Sequence, residues 1–305
     1  MDIEPLMTGL QAYVDGLMVK PGKNISLSKD YHTSQQQELV QKEESKQLLK
    51  ECTKIISDLQ ERLYADNRHS VLVVLQGMDA AGKDSMIKQV CSGINPQGVK
   101  VTSFKEPTAN ELDHGYLWRH YKELPARGEI AIFNRSHYEN VLITRVHPEY
   151  VLMENLPDVT SLKDINKQFW EKRYEQINSF EQTVAENGTL ILKFFLHVSK
   201  QEQKDRFLER LEEPSKNWKF SDKDLEERKH WKEYMKAYED MLKGTSTPYA
   251  PWYVLPADSK WFSRLAMAIV IIKELRNLRL EYPTLPDTRT AYLQDLRERL
   301  LDEEE

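Results

Sequence analysis

A glycine-rich run that ends in a lysine is the segment best suited to chemistry. Residues 77–83 read Gly-Met-Asp-Ala-Ala-Gly-Lys, which is the G-x-x-x-x-G-K spacing of a Walker A loop. We expect the main chain through Ala80 and Ala81 to turn its amides toward phosphate oxygens, while Lys83 adds a full positive charge. These residue types predict a phosphate-binding loop. The alternative is a glycine-rich turn that binds nothing.

The loop departs from the usual pattern at two acidic positions. Asp84 stands where a Ser or Thr hydroxyl would normally hold Mg²⁺, and Ser85 lies next to it. Asp79 adds a carboxylate inside the loop, where it would repel phosphate unless a cation lay between them. We therefore assign Asp79 to Mg²⁺, directly or through water. Gly77 and Gly82, with Asp84 and Ser85, complete the predicted phosphate-binding set.

A second group of polar residues follows a later apolar run. Asn134 occupies the place where many P-loop proteins carry an acidic metal ligand, so it can coordinate or orient water without adding charge. Arg135 is predicted to project beside the phosphate loop, and Arg145 follows ten residues later. Ser136 and Glu139 have the spacing of a capping box, so a capped helix end is the alternative interpretation. A capped helix end beside the loop would also bind anions.

These residues must be positioned by strands and helices that alternate along the chain. Short, apolar, β-branched runs are typical of strands buried on both faces, and helical periodicity lies between them. This alternation predicts an α/β fold with a five-stranded parallel sheet and helices on both faces. The predicted strands are residues 70–76, 99–104, 129–133, 190–198 and 252–256. Helices are predicted from about 35 to 65 and from 110 to 121.

Composition excludes several classes of protein. The 305 residues carry 43 Lys and Arg against 49 Asp and Glu, and the net charge of -6 argues against sequence-blind binding of nucleic acid. Two cysteines do not make a disulfide framework. The longest apolar stretch, residues 265–272, is far shorter than the ~20 residues that a membrane span needs. We expect no membrane segment, no signal sequence and a cytoplasmic location.

Three segments together resemble the polyphosphate kinase 2 family. They are residues 76–84, 133–138 and 193–197, and the resemblance extends over about 38–282. It implies a P-loop kinase fold related to thymidylate kinase, with a helical lid. It also implies reversible, Mg²⁺-dependent transfer of phosphoryl groups from inorganic polyphosphate to nucleotides. The domain division expected is an irregular N-terminal arm docked on the body (1–34), the polyphosphate kinase domain (35–285, lid about 199–223) and a C-terminal helix (286–305).

The resemblance also suggests roles for single residues. Asp79 and Lys83 would act on metal and phosphate, Arg135 and Arg145 would clamp phosphates, and Asp224 would be an acidic residue beyond the lid that is catalytic and could bind metal. The Asn134 version of the motif is similar to the subgroup that accepts both AMP and ADP, which would carry AMP through ADP to ATP. Two further motif residues, His137 and Lys193, are predicted to contact phosphate.

The remaining predicted contacts lie in the lid and on the acceptor side. Arg206 and Arg210 are lid candidates, since the segment after the fourth strand of nucleotide kinases closes on phosphates; a solvated helix of mixed charge is the alternative. On the acceptor side, Phe104 is predicted to stack on the base, and Thr108 and Arg119 to lie near the nucleotide. Core packing is the alternative for the aromatic side chains of this region.

We expect direct in-line transfer without a phospho-enzyme. The acceptor is a terminal phosphate that is largely ionised at neutral pH, so a strong general base is unnecessary. Phosphorylation of His137 or His114 is the alternative. Two other functions stay open, an ATP-dependent nucleotide kinase and a non-catalytic nucleotide-gated module. The expected ligands are polyphosphate and adenine nucleotides, with guanine left open, and the family resemblance suggests a homo-oligomer.

Overall fold

The computed structural model describes residues 4–35 and 40–303, and its centre is one parallel sheet. The strands are β1 (Ser70–Gly77), β2 (Val99–Ser103), β3 (Ile130–Asn134), β4 (Thr189–His197) and β5 (Trp252–Pro256). They lie in the order β2-β3-β1-β4-β5, and every pairing is parallel. The predicted five-stranded parallel sheet is confirmed, with strand ends within one residue of the predicted ones.

Helices of very different length connect and cover the strands. The α-helices are α1 (Glu4–Gly16), α2 (Leu27–Asp30), α3 (Lys42–Asp66), α4 (Lys83–Val90), α5 (Ala109–Leu112), α6 (Trp118–Tyr121), α7 (Ile143–Val146), α8 (Glu149–Leu152), α9 (Lys167–Glu186), α10 (Lys200–Glu212), α11 (Asp222–Lys229), α12 (Trp231–Thr245), α13 (Lys260–Asn277) and α14 (Asp287–Leu301). Short 3-10 helices are Pro96–Gly98, His137–Val141, Leu162–Asp164 and Asn217–Lys219.

Burial explains why the strands read as continuous apolar runs. All eight residues of β1 are buried, which requires helices on both faces of the sheet. One group of helices, α3, α4 and α1, packs against α13, and in a second group α9 and α7 pack against α12. The apolar stretch noted in the sequence lies within α13, which is buried almost all round. No helix among the described residues is long and apolar enough to cross a membrane.

The sheet register brings the functional segments to one edge. Leu75 pairs with Asn134, and Gly77 pairs with Leu196, so β1, β3 and β4 end side by side. Because all strands run in parallel, the loops that follow them open at the same end of the sheet. The phosphate loop and the Asn134–Arg135 segment are therefore neighbours.

The N-terminal arm differs from the expectation that it is irregular. It contains the 13-residue helix α1, and the chain then pairs with the sheet, where the Val19 amide donates to the Trp252 carbonyl at 2.8 Å and the Val254 amide to the Leu17 carbonyl at 2.9 Å. The predicted docking on the body is confirmed. Pro5 gave the impression of an irregular segment, but proline is tolerated in the first turn of a helix. Residues 1–3 of the predicted arm lie outside the described residues.

Two other predicted helices have different limits. The long helix α3 begins at Lys42 rather than near residue 35, and residues 36–39 lie outside the described part of the chain. The helix expected at 110–121 is two short helices, α5 and α6, interrupted around Gly115. The C-terminal helix is present as α14.

Candidate active site

The phosphate loop joins β1 to α4 through a tightly curled backbone. Gly77, Ala80 and Gly82 have φ of 155°, 59° and 107°, the region that favours glycine. A Cβ on Gly77 would come within 3.0 Å of Leu196, so the close approach of β4 requires glycine there. The loop ends at the N-terminus of α4, where free backbone amides and the helix dipole favour an anion.

Lys83 lies at the mouth of this loop. Its Nζ donates to the Gly77 carbonyl at 2.6 Å and reaches the Met78 carbonyl at 3.3 Å. Burial lowers the pKa of Lys83, and the neighbouring charge of Arg135 lowers it further. A bound phosphate would oppose both effects, because an anion favours the charged ammonium. The geometry fits the predicted role of Lys83.

Arg135 and Asp79 form an ion pair across the loop. Arg135 Nη2 donates to Asp79 Oδ1 at 2.8 Å, and both side chains are partly exposed. The carboxylate of Glu139 raises the pKa of Arg135 above its ordinary value, with Asp79 adding to the effect. The negative charge of Glu139 also favours the charged form of Lys83, which opposes the lowering of its pKa by burial. Sequence reasoning placed Glu139 only in a helix cap and missed it as a charged neighbour of the site.

Asp84 of the loop and Asn134 at the end of β3, which both differ from the residues usual at their positions, contact each other. Asn134 Nδ2 donates to Asp84 Oδ1 at 2.7 Å. A carboxylate at position 134 would face the Asp84 carboxylate and repel it, whereas an amide donates to it. The acidic residue in the loop and the uncharged residue on β3 are therefore mutually compatible. The pair also fixes the Asn134 amide with its oxygen directed away from Asp84.

One acidic residue just beyond the predicted lid interacts electrostatically with Asp79 of the loop. Asp224, in the first turn of α11, lies 3.5 Å from Arg210 Nη1 on α10. Burial raises the pKa of Asp224, and the negative charge of Asp79 raises it further. A carboxylate whose neighbour is a second carboxylate suits a divalent cation held between the two.

The donor set fits a metal that binds through the substrate. Groups of three or more His, Cys, Asp or Glu side chains that could hold a metal are absent from the described residues. Mg²⁺ typically takes one or two carboxylates, with phosphate oxygens and water completing its shell. Asp79 and Asp224 match that requirement.

Lys193 and His137 are not phosphate contacts, which corrects the sequence prediction. Both are fully buried around Glu181 of α9. Lys193 Nζ donates to Glu181 Oε2 at 2.6 Å, to the Tyr138 hydroxyl at 2.8 Å and to the Thr245 carbonyl at 2.7 Å. His137 Nε2 lies 3.1 Å from Glu181 Oε1. These side chains form an internal polar network that is shielded from any ligand.

Phe104 does not stack on a base. It is 6% exposed, and its ring packs edge-on against Phe133, with centroids 4.9 Å apart, and against His120 at 4.3 Å. The expectation of a stacking platform is therefore wrong, and core packing accounts for this residue. Burial lowers the pKa of His120 well below its ordinary value, so this ring is neutral within the cluster.

Thr108 and Arg119 lie together beside the end of β2. Thr108 caps α5 in a capping box with Glu111. Arg119 Nε lies 3.3 Å from Glu111 Oε1, and its Nη1 donates to the Lys105 carbonyl at 3.0 Å. Both residues are held by local structure, and their contact with nucleotide stays a prediction.

Arg206 does not project from a lid, which is a third correction. It is 5% exposed, and its guanidinium donates to the carbonyls of Ala80 and Ala81 in the phosphate loop. Ser199 caps α10, accepting from the Glu202 amide at 3.1 Å. The helix periodicity gave the correct element but not the direction in which Arg206 points.

Arg145 lies on the short helix α7. It pairs with Asp240 at 3.5 Å, and its guanidinium lies over the Trp170 ring at 5.0 Å. Its role as a phosphate clamp stays a prediction.

Comparisons with known proteins agree with this geometry. The family described as polyphosphate kinase 2 (PPK2) matches residues 38–282. The ADP-polyphosphate phosphotransferase of Rhodopseudomonas palustris is 51% identical over 85% of this chain and 89% of its own. The AMP/ADP-polyphosphate phosphotransferase of Meiothermus ruber is 48% identical over 76% of this chain and 81% of its own. The crystal structure of polyphosphate kinase 2 from Arthrobacter aurescens TC1 superposes with a TM-score of 0.81 at 36% identity, covering 91% of this chain and 95% of that one.

Proposed function

This chain belongs to the polyphosphate kinase 2 family, and we propose that it transfers phosphoryl groups reversibly between inorganic polyphosphate and the adenine nucleotides AMP and ADP. The observation that carries the proposal is the curled loop with Lys83 at its mouth, faced by the Arg135–Asp79 pair. Two cations, backbone amides and a carboxylate converge there. This is the set that in-line transfer between phosphoanhydrides needs.

The acceptor assignment rests on relatives and on one residue. The Meiothermus ruber relative is named for both AMP and ADP, whereas the Rhodopseudomonas palustris relative is named for ADP alone, at similar identity. Asn134 favours activity on both AMP and ADP, because the motif with Asn at this position resembles the subgroup that accepts both nucleotides. We therefore propose that AMP and ADP are both substrates.

The residues of this chain act by positioning and by charge. Lys83 and Arg135 would neutralise the oxygens of the transferring group, and the amides at the start of α4 would orient them. Kinases of this family generally need a divalent metal, and we propose Mg²⁺, held by Asp79 and Asp224, which supplies further charge compensation when bound. Asn134 would orient Asp84 rather than bind the metal directly.

Direct transfer is favoured over a phospho-enzyme. Both histidines considered as carriers are engaged away from the loop. His137 is buried against Glu181, and His114 stacks on Trp118 with centroids 3.9 Å apart. The acceptor phosphate is already largely ionised at neutral pH, so no side chain is required as a strong base.

A product assay tests the proposal. Purified protein is given AMP, ADP or GDP separately, with polyphosphate and Mg²⁺, and we expect ADP from AMP and ATP from ADP. Lys83→Ala should lower turnover at least about 100-fold at unchanged melting temperature, because it removes a charge aimed at the reacting phosphates. Lys88→Ala, on an exposed position of the same helix, is the matched control and should retain activity. Nucleotide phosphorylation by ATP but not by polyphosphate would contradict the proposal and favour an ordinary nucleotide kinase.

The expected homo-oligomer and the cytoplasmic location stay predictions. Size-exclusion chromatography with light scattering would measure the first, and cell fractionation the second.

A further inference from the structure

We infer that Gln203 and Arg206 of α10 are positioning residues that hold the phosphate loop with its carbonyls turned outward and its amides turned toward the substrate. The inference deepens the proposed function and rests on it for the identity of the substrate. It concerns two side chains that do not touch the reacting atoms. We call this pair the clasp.

The clasp holds three successive carbonyls of the loop. Gln203 Nε2 donates to the Asp79 carbonyl at 2.9 Å. Arg206 Nη1 donates to the carbonyls of Ala80 and Ala81, each at 2.9 Å. Gln203 and Arg206 are three residues apart, so they lie on the same face of α10. The two side chains are 1% and 5% exposed, so their hydrogen bonds to the loop are shielded from water.

The other carbonyls of the loop are held by the loop itself. Those of Gly77 and Met78 accept from Lys83 Nζ, and that of Gly82 accepts from Ser85 Oγ at 2.9 Å and from the Met86 amide at 2.9 Å. With the clasp in place, every carbonyl from 77 to 82 has a donor.

The amides at the end of the loop are left available. Those of Lys83, Asp84 and Ser85 have no hydrogen-bond acceptor in the described part of the chain. Buried backbone groups require partners, so a loop whose carbonyls are all satisfied has only main-chain donors left for a ligand. Such a loop selects an anion.

The clasp also stabilises a strained residue. Ala80 has φ of 59°, a left-handed conformation that costs a non-glycine residue about 1 kcal/mol or more. Such conformations persist only where the surroundings over-determine them. The hydrogen bond from Arg206 to the Ala80 carbonyl supplies that constraint.

The two side chains of the clasp are themselves fixed. Arg206 Nε donates to Glu202 Oε1 at 2.8 Å, and its Nη2 donates to the Ala257 carbonyl at 2.6 Å, just beyond β5. Gln203 Oε1 accepts from Arg228 Nη1 at 2.7 Å, which sets the direction of its amide. Four of the five N–H groups of Arg206 are therefore engaged with the protein, so the side chain cannot also grip a phosphate.

Arg206→Lys separates a role of the positive charge from a role of the hydrogen bonds, because lysine keeps the charge but lacks the planar guanidinium. If Arg206 acted only by its charge, Arg206→Lys would behave like the native protein. Under the clasp, one ammonium cannot reproduce the bonds to Ala80, Ala81 and Ala257 together. We expect Arg206→Lys to lower kcat/KM by about 10- to 100-fold, since small misplacement of positioning groups has effects of this size. Gln203→Leu should act in the same direction.

The experiment measures kcat, KM for polyphosphate and melting temperature for Arg206→Lys, Arg206→Ala, Gln203→Leu and the control Lys204→Ala, an exposed residue of the same helix. Millimolar guanidinium should restore part of the activity of Arg206→Ala, because it can refill the vacated position. It should have no such effect on the control.

Binding of inorganic triphosphate, followed by calorimetry, separates the clasp from the catalytic proposal. Weaker binding by Arg206→Lys but not by Lys204→Ala supports the clasp, even if the native protein makes no ATP from polyphosphate and the proposed function fails. Native kcat, KM and triphosphate affinity in Arg206→Lys would overturn the clasp. Absence of triphosphate binding by the native protein would overturn the anion site and the clasp together. Arg206→Lys and Gln203→Leu keep the test decisive if Arg206→Ala does not fold.

Discussion

Replacing Lys193 by methionine should destabilise the protein without weakening phosphate binding. Lys193 and Glu181 have fully buried side chains, with Nζ and Oε2 2.6 Å apart. Burial would raise the pKa of Glu181, but Lys193 and His137 outweigh it, so the pKa lies below its ordinary value and the carboxylate is charged at neutral pH. Lys193→Met would leave this charge buried without its main partner.

The expected loss follows from that uncompensated charge. Removing one partner of a buried ion pair typically costs about 3–5 kcal/mol. For 305 residues, an unfolding entropy of ~2.1 cal/mol/K per residue gives roughly 0.64 kcal/mol/K, so the melting temperature should fall by about 5–8 °C. The double variant Lys193→Met/Glu181→Gln removes the charge as well. It should lose much less than the sum of the two single variants.

Thermal melts of the native protein, both single variants and the double variant measure this coupling. Steady-state kinetics on the same four proteins measure KM for polyphosphate, which we expect to be unchanged. Additive losses would refute the buried pair as the cause. A raised KM in Lys193→Met at native melting temperature would refute the reasoning altogether and restore the phosphate-binding role.

Three further variants test the site and its surroundings. Asp224→Asn should lower metal affinity or activity at least about 10-fold, measured by Mg²⁺ titration of the rate. Its stability should change by no more than about 1 kcal/mol, because the lost ion pair with Arg210 is weak. A native Mg²⁺ dependence in this variant would show that Asp224 is not part of the metal site. Burial lowers the pKa of His197 from 6.5 to about 4. The unfolded chain therefore takes up this proton first, so stability falls by up to about 3 kcal/mol as pH drops through that interval, and His197→Gln should flatten the corresponding part of the melting-temperature profile. Gly77→Ala should lower the free energy of unfolding by about 1–3 kcal/mol and the rate at least about 10-fold, because φ is 155° and the new Cβ would lie 3.0 Å from Leu196. The control Gly16→Ala, whose Cβ would have nothing within 4 Å, should change the free energy of unfolding by no more than about 0.5 kcal/mol. Equal effects of the two substitutions would show that the loop is not constrained.

The sheet and the phosphate loop could be predicted because their signals are local. β1 is buried on both faces, so its apolar run needs no knowledge of its partners. The loop motif fixes residue types by the chemistry of phosphate, and Lys83 was identified from spacing alone. The predicted strand ends lie within one residue of the observed ones, because the apolar run of each buried strand marks its own limits.

The internal polar network and the clasp could not be predicted because their partners are distant in sequence. Glu181 lies 44 residues from His137 and sits within the apolar stripe of α9, where nothing marks it as the partner of a buried lysine. Lys193 was predicted to contact phosphate because it belongs to a motif shared with the family, whereas the structure shows it buried against Glu181. Arg206 lies 126 residues from Ala80, and helix periodicity cannot tell a side chain that grips a loop from one that faces solvent.

The docked N-terminal arm has a consequence for the colloidal behaviour of the protein. β5 is an outer strand of the sheet and consists entirely of buried residues, so its outer edge would offer unpaired backbone groups beside apolar side chains to another chain. The segment around Met18 pairs with it and occupies that hydrogen-bonding row. Cleavage of the first 20 or so residues would uncover the row, and the shortened protein should precipitate or form β-rich aggregates at concentrations where the whole chain stays dispersed.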